Sequence, residues 1–455
     1  MHFKGLRFYF ALFVSKTGLK LMKLLGKNGT YFPGMVAIRL CPDFLGKIEK
    51  PSVIFCVTGT DGKTVSANLL NDILRDHGYD ILCNTTGSNT NAGIATALLG
   101  ASTYSGKPTK QIAVLETDER SSKKVYPYIH PTYILCTNIE RDSVERNPHP
   151  QYICDFIDDA VPEGTKMILN SDDLCSMQLG GKHEHAYFAI AKMPSDRSEV
   201  INVTNDFRLC PHCNTPLKVE YARNHSIARA HCPNCGFGSP EPDYEARVDL
   251  GKRTMELQGI TYPLQTDTLF YAYDELGVIT ALLEFGMPAE DILDSLGHIR
   301  LTKSRHMYKK IGDTTIIGNM MKDRNAVACS CNFDMVRNDR REKELIVILE
   351  NMQKEKFTSE NICWYGDTDF NFLNDPTIKR IIIAGHRAPD TKLFMMNAGV
   401  PEEKILTTYE YTDAASLLKL DTHCIYYLYD LYMYPQPALK LWHSIVGRVR
   451  EENKR

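Results

Sequence analysis

The residues best suited to chemistry stand at Thr58-Gly-Thr-Asp-Gly-Lys-Thr64. Gly59 and Gly62 let backbone N–H groups turn toward one point, Lys63 brings a positive charge, and the Thr64 hydroxyl is a ligand type for Mg²⁺. The apolar, β-branched run Val53 to Val57 in front of the loop reads as a buried parallel strand. Ser66 to Gly78 behind it reads as a helix, with Leu69, Leu70, Ile73 and Leu74 on one face and Gly78 as its stop. Strand, glycine loop, lysine and helix N-terminus together make a cradle for the phosphates of a nucleotide. The loop is a variant, because the general pattern has a glycine at the position of Val57. The plainer reading, a βα turn that binds nothing, has the complete Gly-Lys-Thr context against it.

A second constellation is Cys210-Pro-His-Cys213 and Cys232-Pro-Asn-Cys235, two C-x-x-C knuckles with 18 residues between them. Each knuckle lets two thiolates meet one ion, and the gap suits a small ribbon that returns to the same point. Four soft sulfur donors with no open position point to structural Zn²⁺. A redox pair or bystander thiols would leave unexplained why both pairs carry proline after the first cysteine. Arg208, Lys218, Arg223 and Arg229 in or beside the ribbon read as a solvated basic face rather than a nucleic-acid site.

Carboxylates and amides recur just after the other apolar runs: Glu116 and Asp118 after Gln111–Leu115, Thr137, Asn138 and Asp142 after Thr132–Cys136, and Asn170, Asp172 and Asp173 after Lys166–Leu169. In a parallel α/β sheet ligands gather at the carboxyl ends of strands, so a carboxylate there is placed to hold Mg²⁺ beside the loop lysine. For any one of them a cap or turn role is the plainer reading, and the repeated placement is what favours a site.

These residues need an α/β scaffold. Strands and helices alternate over residues 51–205, break at the cysteine insert 206–240, and resume to residue 300, where Asp267 to Gly286 is a helix with Asp267 as its N-cap and Leu276, Ile279, Leu282 and Leu283 on the core face. Pro288 to Gly297 is a shorter helix. The basic segment Arg300–His306 reads as the hinge into a last α/β domain, 301–455, with strands expected at Leu345–Leu349, Ile362–Tyr365, Arg380–Ile383 and Ile425–Leu428. Asp367 and Asp369 would follow the second of these, and Gly385-His-Arg387 the third. Residues 1–50 read as a helical leader: a helix, a loop at Gly29–Gly34, and a helix holding Val36, Ala37 and Leu40. With 455 residues, a net charge of −3 and 14 scattered cysteines, the chain fits two or three domains in a reducing cytoplasm, and no basic excess asks for nucleic acid. The apolar piece Phe8–Val14 is too short to span a bilayer. A helix packed on the body is the first reading of it, and peripheral contact with the inner face of the cell membrane the second.

Together these features resemble the Mur ligase family, in its MurT-type branch. The loop resembles the family's Thr-Gly-Thr-Asn-Gly-Lys-Thr, with Asp61 where Asn is usual. Leu115-Glu-Thr-Asp-Glu119 resembles its strand-end motif, and Thr137-Asn138 with Asp142 and Arg146 the next one. Gly29 to Gly34 and Pro42-Asp43 fit the branch's leader. The four-cysteine insert, Trp364-Tyr-Gly-Asp-Thr-Asp-Phe370, and Gly385-His-Arg-Ala-Pro-Asp390 leading to Ala398-Gly399 fit the branch as well. The resemblance implies a Mur ligase-type P-loop central domain, 51–300, with an inserted four-cysteine zinc ribbon, and a smaller α/β C-terminal domain. It implies ATP held by Thr58, Gly59, Thr60, Asp61, Gly62, Lys63 and Thr64 with Asn138 and Asp142, Mg²⁺ held by Thr64 and Glu116, and Zn²⁺ on the four cysteines. The implied reaction is amidation of the D-glutamate α-carboxylate in the lipid II stem peptide to D-isoglutamine through an acyl phosphate, for peptidoglycan synthesis. Ammonia would come from a GatD-type glutamine amidotransferase partner, whose Cys–His pair an aspartate here would complete, Asp367 first and Asp369 next. There are departures: Ser143 replaces a metal-binding His, Tyr271-Ala-Tyr-Asp274 replaces a Tyr-Asn-x-Tyr-Asn type segment, Met321-Lys-Asp-Arg-Asn-Ala326 replaces Lys-Asn-Pro-Ala-Gly while keeping Lys322, and Glu360-Asn361 stands where Asp is usual. They leave open a divergent paralogue acting on another carboxylate, a ligase that joins an amino acid, and a non-catalytic partner-binding scaffold.

Overall fold

The computed structural model describes residues 5–84, 88–142, 147, 149–299, 306–322, 324–349, 362–430, 433 and 435–454. Ser143, Arg146, Arg300–Arg305, Asp323 and Glu360-Asn361 lie outside the described residues. The chain divides into two compact units. One takes in 1–140, 149–200 and 206–301, the other 141–148, 201–205 and 302–455.

The first unit is built on strands β1 (Val53–Thr58), β2 (Ile81–Cys83), β3 (Ile112–Glu116), β4 (Tyr133–Cys136), β5 (Lys166–Asn170) and β6 (His185–Ile190). All pair in parallel in the order β2-β3-β1-β4-β5-β6. Both faces of this sheet are covered, which is why its strands are continuously apolar instead of alternating. Ile54 and Cys56 of β1, with Ala113, Leu115, Ile134 and Met167, enter one core; Phe55 and Val57, with Ile112, Val114, Leu135 and Ile168, enter the other. A two-stranded ribbon, β7 (Lys218–Asn224) and β8 (Ile227–His231), follows. Then β9 (Tyr244–Asp249) joins β6 in parallel, and β10 (Thr254–Leu257) and β11 (Ile260–Pro263) extend the sheet antiparallel.

The leader is part of this unit. Helix Leu6–Leu24 buries Phe8, Ala11, Leu12 and Leu19, and ends where Gly26 adopts φ 67°. Lys16 is buried with them. Its ammonium donates to Leu99 O at 2.7 Å and to Ser102 O, at the C-terminal end of helix Asn91–Gly100, where carbonyls lack helical partners and a cation is favoured. The second leader helix, Phe32–Leu40, starts inside the expected loop, with proline in its first turn.

Three expectations need correction. Helix Lys63–Asp76 begins at Lys63, ahead of Ser66, so the loop lysine itself opens the helix. The long helix is Leu269–Phe285 and its N-cap is Thr268; Asp267 is exposed and lies 3.3 Å from Arg253 instead. In the second unit, residues 362–365 are not a strand: Cys363–Asp367 is a 3₁₀ turn. Neighbouring Trp364 and Tyr365 both enter one core cluster, which the alternation of a strand forbids. That unit carries β12 (His306–Ile311), β13 (Thr314–Met321), β14 (Lys343–Ile348), β15 (Ile378–Ala384), β16 (Ile405–Thr408) and β17 (Cys424–Asp430) in the order β12-β13-β17-β14-β15-β16, parallel except for the β12–β13 hairpin.

Candidate phosphate-binding site and metal centre

Between β1 and helix Lys63–Asp76 the chain makes a turn that only glycine can make at two points. Gly59 has φ 125° and Gly62 φ 81°. A Cβ on Gly59 would fall 2.2 Å from Thr137 Oγ1, and one on Gly62 would fall 2.0 Å from Asp274 Oδ1. The loop is clasped by the segment leaving β4. Thr60 N donates to Asn138 O at 2.9 Å, Asp61 N to Asn138 Oδ1 at 3.0 Å, and Thr137 Oγ1 to Asp61 O at 2.6 Å. Thr60 Oγ1 donates to Glu140 O at 3.1 Å and accepts from Glu140 N at 2.9 Å. Asn138, expected as a nucleotide contact, therefore also sets the loop's shape.

The charged groups meet at the head of the helix. Lys63 Nζ lies 2.7 Å from Glu119 Oε1 and donates to Thr60 O at 2.9 Å and to Gly59 O. Thr64 Oγ1 donates to Glu116 Oε2 at 2.8 Å, and Asn89 Nδ2 to Glu116 Oε1 at 3.0 Å. Asn84 fixes the end of β3 by exchanging hydrogen bonds with the Glu116 backbone at 2.8 and 2.9 Å. Glu116 and Thr64, expected to share Mg²⁺, are thus already oriented toward one another. A carboxylate oxygen and a hydroxyl side by side at a helix N-terminus are the donor types that cation takes.

Glu119 was missed as a site residue, although it closes the motif that was read. Asp118, named as a strand-end carboxylate, accepts from Arg120 N at 3.1 Å and caps the turn Glu119–Ser121, which carries Glu119 to Lys63. Burial raises the Glu119 pKa, and Lys63 opposes that rise. Asp274, beneath Gly62, was missed as well. Burial, with Asp61 and Glu275 nearby, pushes its carboxyl well up. Its only signal was its place in the divergent Tyr271–Asp274 segment.

Other strand-end carboxylates are architectural. Asp173 accepts from Ile139 N at 2.7 Å, Cys175 N at 3.1 Å and Ser176 N at 3.2 Å. Asp172 accepts from Tyr273 OH at 2.7 Å, Tyr221 OH at 3.0 Å and Arg223 Nη1 at 3.0 Å. Arg223 also reaches Asp196 at 2.9 Å and is buried, so it belongs to no solvated basic face; it pins the ribbon to the sheet. Arg229, too, is engaged by Glu241 at 2.7 Å and Glu220 at 3.7 Å.

The four cysteine sulfurs all lie within 4.8 Å of one another, with Cys210–Cys235 and Cys213–Cys232 each at 3.4 Å. A tetrahedron with zinc–sulfur bonds of about 2.3 Å has sulfurs about 3.8 Å apart. The knuckles are alike. Asn214 N donates to Cys210 O at 2.9 Å and Gly236 N to Cys232 O at 3.4 Å, with Asn214 and Gly236 at φ 58° and 77°. The cluster has the donor set and spacing for one metal ion.

In the second unit Asp367 and Asp369 differ sharply. Asp367 is partly exposed, its Oδ2 3.1 Å from Arg141 Nη1. Asp369 is buried and accepts from Asn202 Nδ2 at 2.8 Å and Val203 N at 2.5 Å, while its own N–H donates to Ser330 Oγ at 2.9 Å. Neither follows a strand, since the segment before them is the 3₁₀ turn. Asp142, expected at the nucleotide, belongs to this unit, where Lys322 Nζ lies 3.2 Å away.

Comparisons with known proteins agree with this layout. A family model described as MurT ligase C-terminal matches residues 323–433. The lipid II isoglutaminyl synthase (glutamine-hydrolyzing) subunit MurT of Staphylococcus aureus strain COL is 28% identical over 400 residues, 87% of this chain and 89% of its own. The protein of the same name from Streptococcus pneumoniae is 29% identical over 390 residues, 84% and 85% of the two chains. Among solved structures, a pseudomurein peptide ligase type C from Methanothermus fervidus shares the fold, with a TM-score of 0.64 at 18% identity over 89% of this chain and 79% of that one. The likeness to the MurT subunits thus runs through most of the sequence, and the C-terminal segment matches the MurT ligase C-terminal family.

Proposed function

We propose that this protein is the ATP-consuming subunit of a glutamine-dependent amidating ligase, acting on the D-glutamate α-carboxylate of the lipid II stem peptide in the cytoplasm. The observation that carries the reading is the pairing of Thr64 with Glu116 at 2.8 Å beside Lys63, at the mouth of a loop clasped by Asn138. A carboxylate is a poor electrophile, and phosphorylation supplies it with a leaving group. Lys63, the loop amides from Gly59 to Thr64 and the helix N-terminus bind the phosphates of ATP and balance charge on the transferred phosphoryl. Thr64 and Glu116 hold Mg²⁺, which when bound neutralises phosphate charge. Asp61 and Asn138 keep the loop in register, and the family resemblance adds Asp142 to the residues that bind ATP. Ammonia then displaces phosphate from the acyl phosphate, giving the amide.

The division into a leader (1–50), an ATP-binding domain (51–300) with ribbon 206–240, and a last domain (301–455) follows the same reading. Cys210, Cys213, Cys232 and Cys235 hold one Zn²⁺ as architecture. Asp367, the partly exposed member of its pair, serves a GatD-type glutaminase partner by orienting its catalytic histidine; Asp369 serves the fold. The test is amidation of lipid II by this chain with such a partner, ATP and glutamine, read by product mass. Amide formation that depends on all three supports the proposal. Joining of an amino acid instead, or absence of Mg²⁺-dependent ATP binding by calorimetry that Glu116→Ala would weaken, defeats it.

A further inference from the structure

Helix Leu6–Leu24 is apolar on two sides, and only one is covered. Phe8, Ala11, Leu12 and Leu19 are buried in the unit, whereas Leu6, Phe10, Phe13, Leu21 and Leu24 are between 57 and 92% exposed. The exposed set steps at helical spacing, with Thr17 between, so it forms a single ridge about 27 Å long. Exposed Tyr9 flanks it, and Tyr104 sits against Phe13, ring centroids 5.9 Å apart. Lys20 Nζ lies 4.8 Å from the centre of the Tyr104 ring, and Lys23, Lys27 and Arg7 are exposed on the same helix or just after it. From Met1 to Pro42 the sequence holds seven lysines and arginines and no aspartate or glutamate, in a chain whose net charge is negative.

We propose that this ridge seats the protein on an anionic lipid bilayer, with helix Leu6–Leu24 lying parallel to the membrane. Phe10, Phe13 and the leucines would enter the acyl boundary while the lysines meet lipid phosphates, the division of labour of interfacial helices. The charge pattern selects this occupant. An isologous contact between two copies would set the same lysines against each other. Among the described residues no helix is long and apolar enough to cross a membrane, and this one has its opposite face committed to the protein core, so it lies on the bilayer without spanning it. Seating a lipid-linked acceptor's ligase at the surface deepens the proposed function, yet the ridge stands on its own residues.

The experiment is vesicle flotation of the full chain with phosphatidylcholine alone and with equimolar phosphatidylcholine and phosphatidylglycerol. Binding to the anionic vesicles only, weakened by salt, is expected. Phe10→Ser with Phe13→Ser should weaken it at least about tenfold, and Lys20→Glu with Lys23→Glu should abolish the preference for anionic lipid. Thermal midpoints establish that each variant folds, and the charge pair serves if the first does not. ATP affinity, measured in solution, should be unchanged in both, so failure here and failure of the nucleotide site are separable. No flotation of wild type overturns the proposal, as does flotation indifferent to both pairs. Dimerisation lost in Phe10→Ser/Phe13→Ser without lipid binding would reassign the ridge to a contact between copies.

Discussion

At the phosphate loop, opposite charges and hydrogen bonds from within the chain meet the charged groups: Lys63 has Glu119 at 2.7 Å, and Glu116 takes donors from Thr64 and Asn89. At the ribbon four sulfurs converge within 4.8 Å, and few protein groups reach them: His212 N donates to Cys210 Sγ at 3.4 Å, and Cys213 Sγ lies 3.3 Å from Thr215 Oγ1. The loop can hold its shape by protein groups alone, because its clasp is made of backbone, amide and hydroxyl groups. Four thiolates brought together would repel unless a cation sat among them, so the proposed metal site would tie the ribbon's geometry to its ion. Both regions lie in one unit and were visible as spacing, but they fail in different ways.

The largest effect expected is at the ribbon. Metal binding to such a site is on the order of 10 kcal/mol in isolated zinc-folded peptides, so chelation or Cys213→Ser should remove one equivalent of zinc by metal analysis and lower the thermal midpoint of the whole protein. An unchanged midpoint after demonstrated loss of metal would break the contrast. Next is the loop. Lys63→Ala should reduce turnover with ATP by about 10²–10³-fold, roughly 3–4 kcal/mol of transition-state stabilisation, while leaving zinc content unaltered. Turnover that survives the change would remove the lysine from the chemistry.

The aspartate pair of the second unit extends the same contrast between structure and availability. Asp369→Ala removes the acceptor of the Val203 N–H and of Asn202 Nδ2 and should destabilise by about 2–3 kcal/mol in denaturant unfolding. Asp367→Asn, at a partly exposed ion pair with Arg141, should change stability by no more than about 0.5 kcal/mol and affect only activity with the glutaminase partner. Reversal of the two would exchange their assignments.

The last effect is a pH dependence. Glu275 is buried on helix Leu269–Phe285, and desolvation raises its pKa to about 8, partly offset by the hydrogen bond from Gln265 N. A carboxyl whose folded pKa is raised favours folding while it stays protonated. That contribution is full below its unfolded value and is lost as pH rises through about 8. Glu275→Gln keeps an acceptor for Gln265 and should therefore stabilise on the order of 1–2 kcal/mol at alkaline pH and little in mild acid, by thermal melts across that range. An equal gain at both ends would show that the carboxyl does not titrate as a buried acid.

The phosphate loop was legible because its chemistry is local. Glycines, lysine, threonine and the flanking strand and helix are contiguous, so one short stretch determines both fold and function. The knuckles were legible because sulfur is scarce and soft and its pairing by two residues is hard to reach by accident. Glu119 escaped because a strand end offers several carboxylates, and only the turn capped by Asp118 decides which of them swings to Lys63. Arg223 escaped for the opposite reason: an arginine in a polar ribbon looks solvated until Asp172 and Asp196 close on it. Ile362–Tyr365 reads as a strand in the sequence but enters the 3₁₀ turn Cys363–Asp367, because an apolar run cannot by itself report whether neighbouring side chains point to opposite sides or to one core.

By itself, then, the amino-acid order determined the mainly parallel α/β sheet, the phosphate turn, the four-cysteine pattern and the resemblance to the Mur ligases, all of which rest on residues close in the chain or on composition that tolerates one reading. Tertiary structure alone decided the partners of each charge: Glu119 with Lys63, Asp172 with Arg223, Asp369 with Asn202, and the uncovered ridge on the first helix. Such pairings depend on which segments, remote in sequence, share a low-dielectric space, and burial is a property of the folded volume that no local pattern contains.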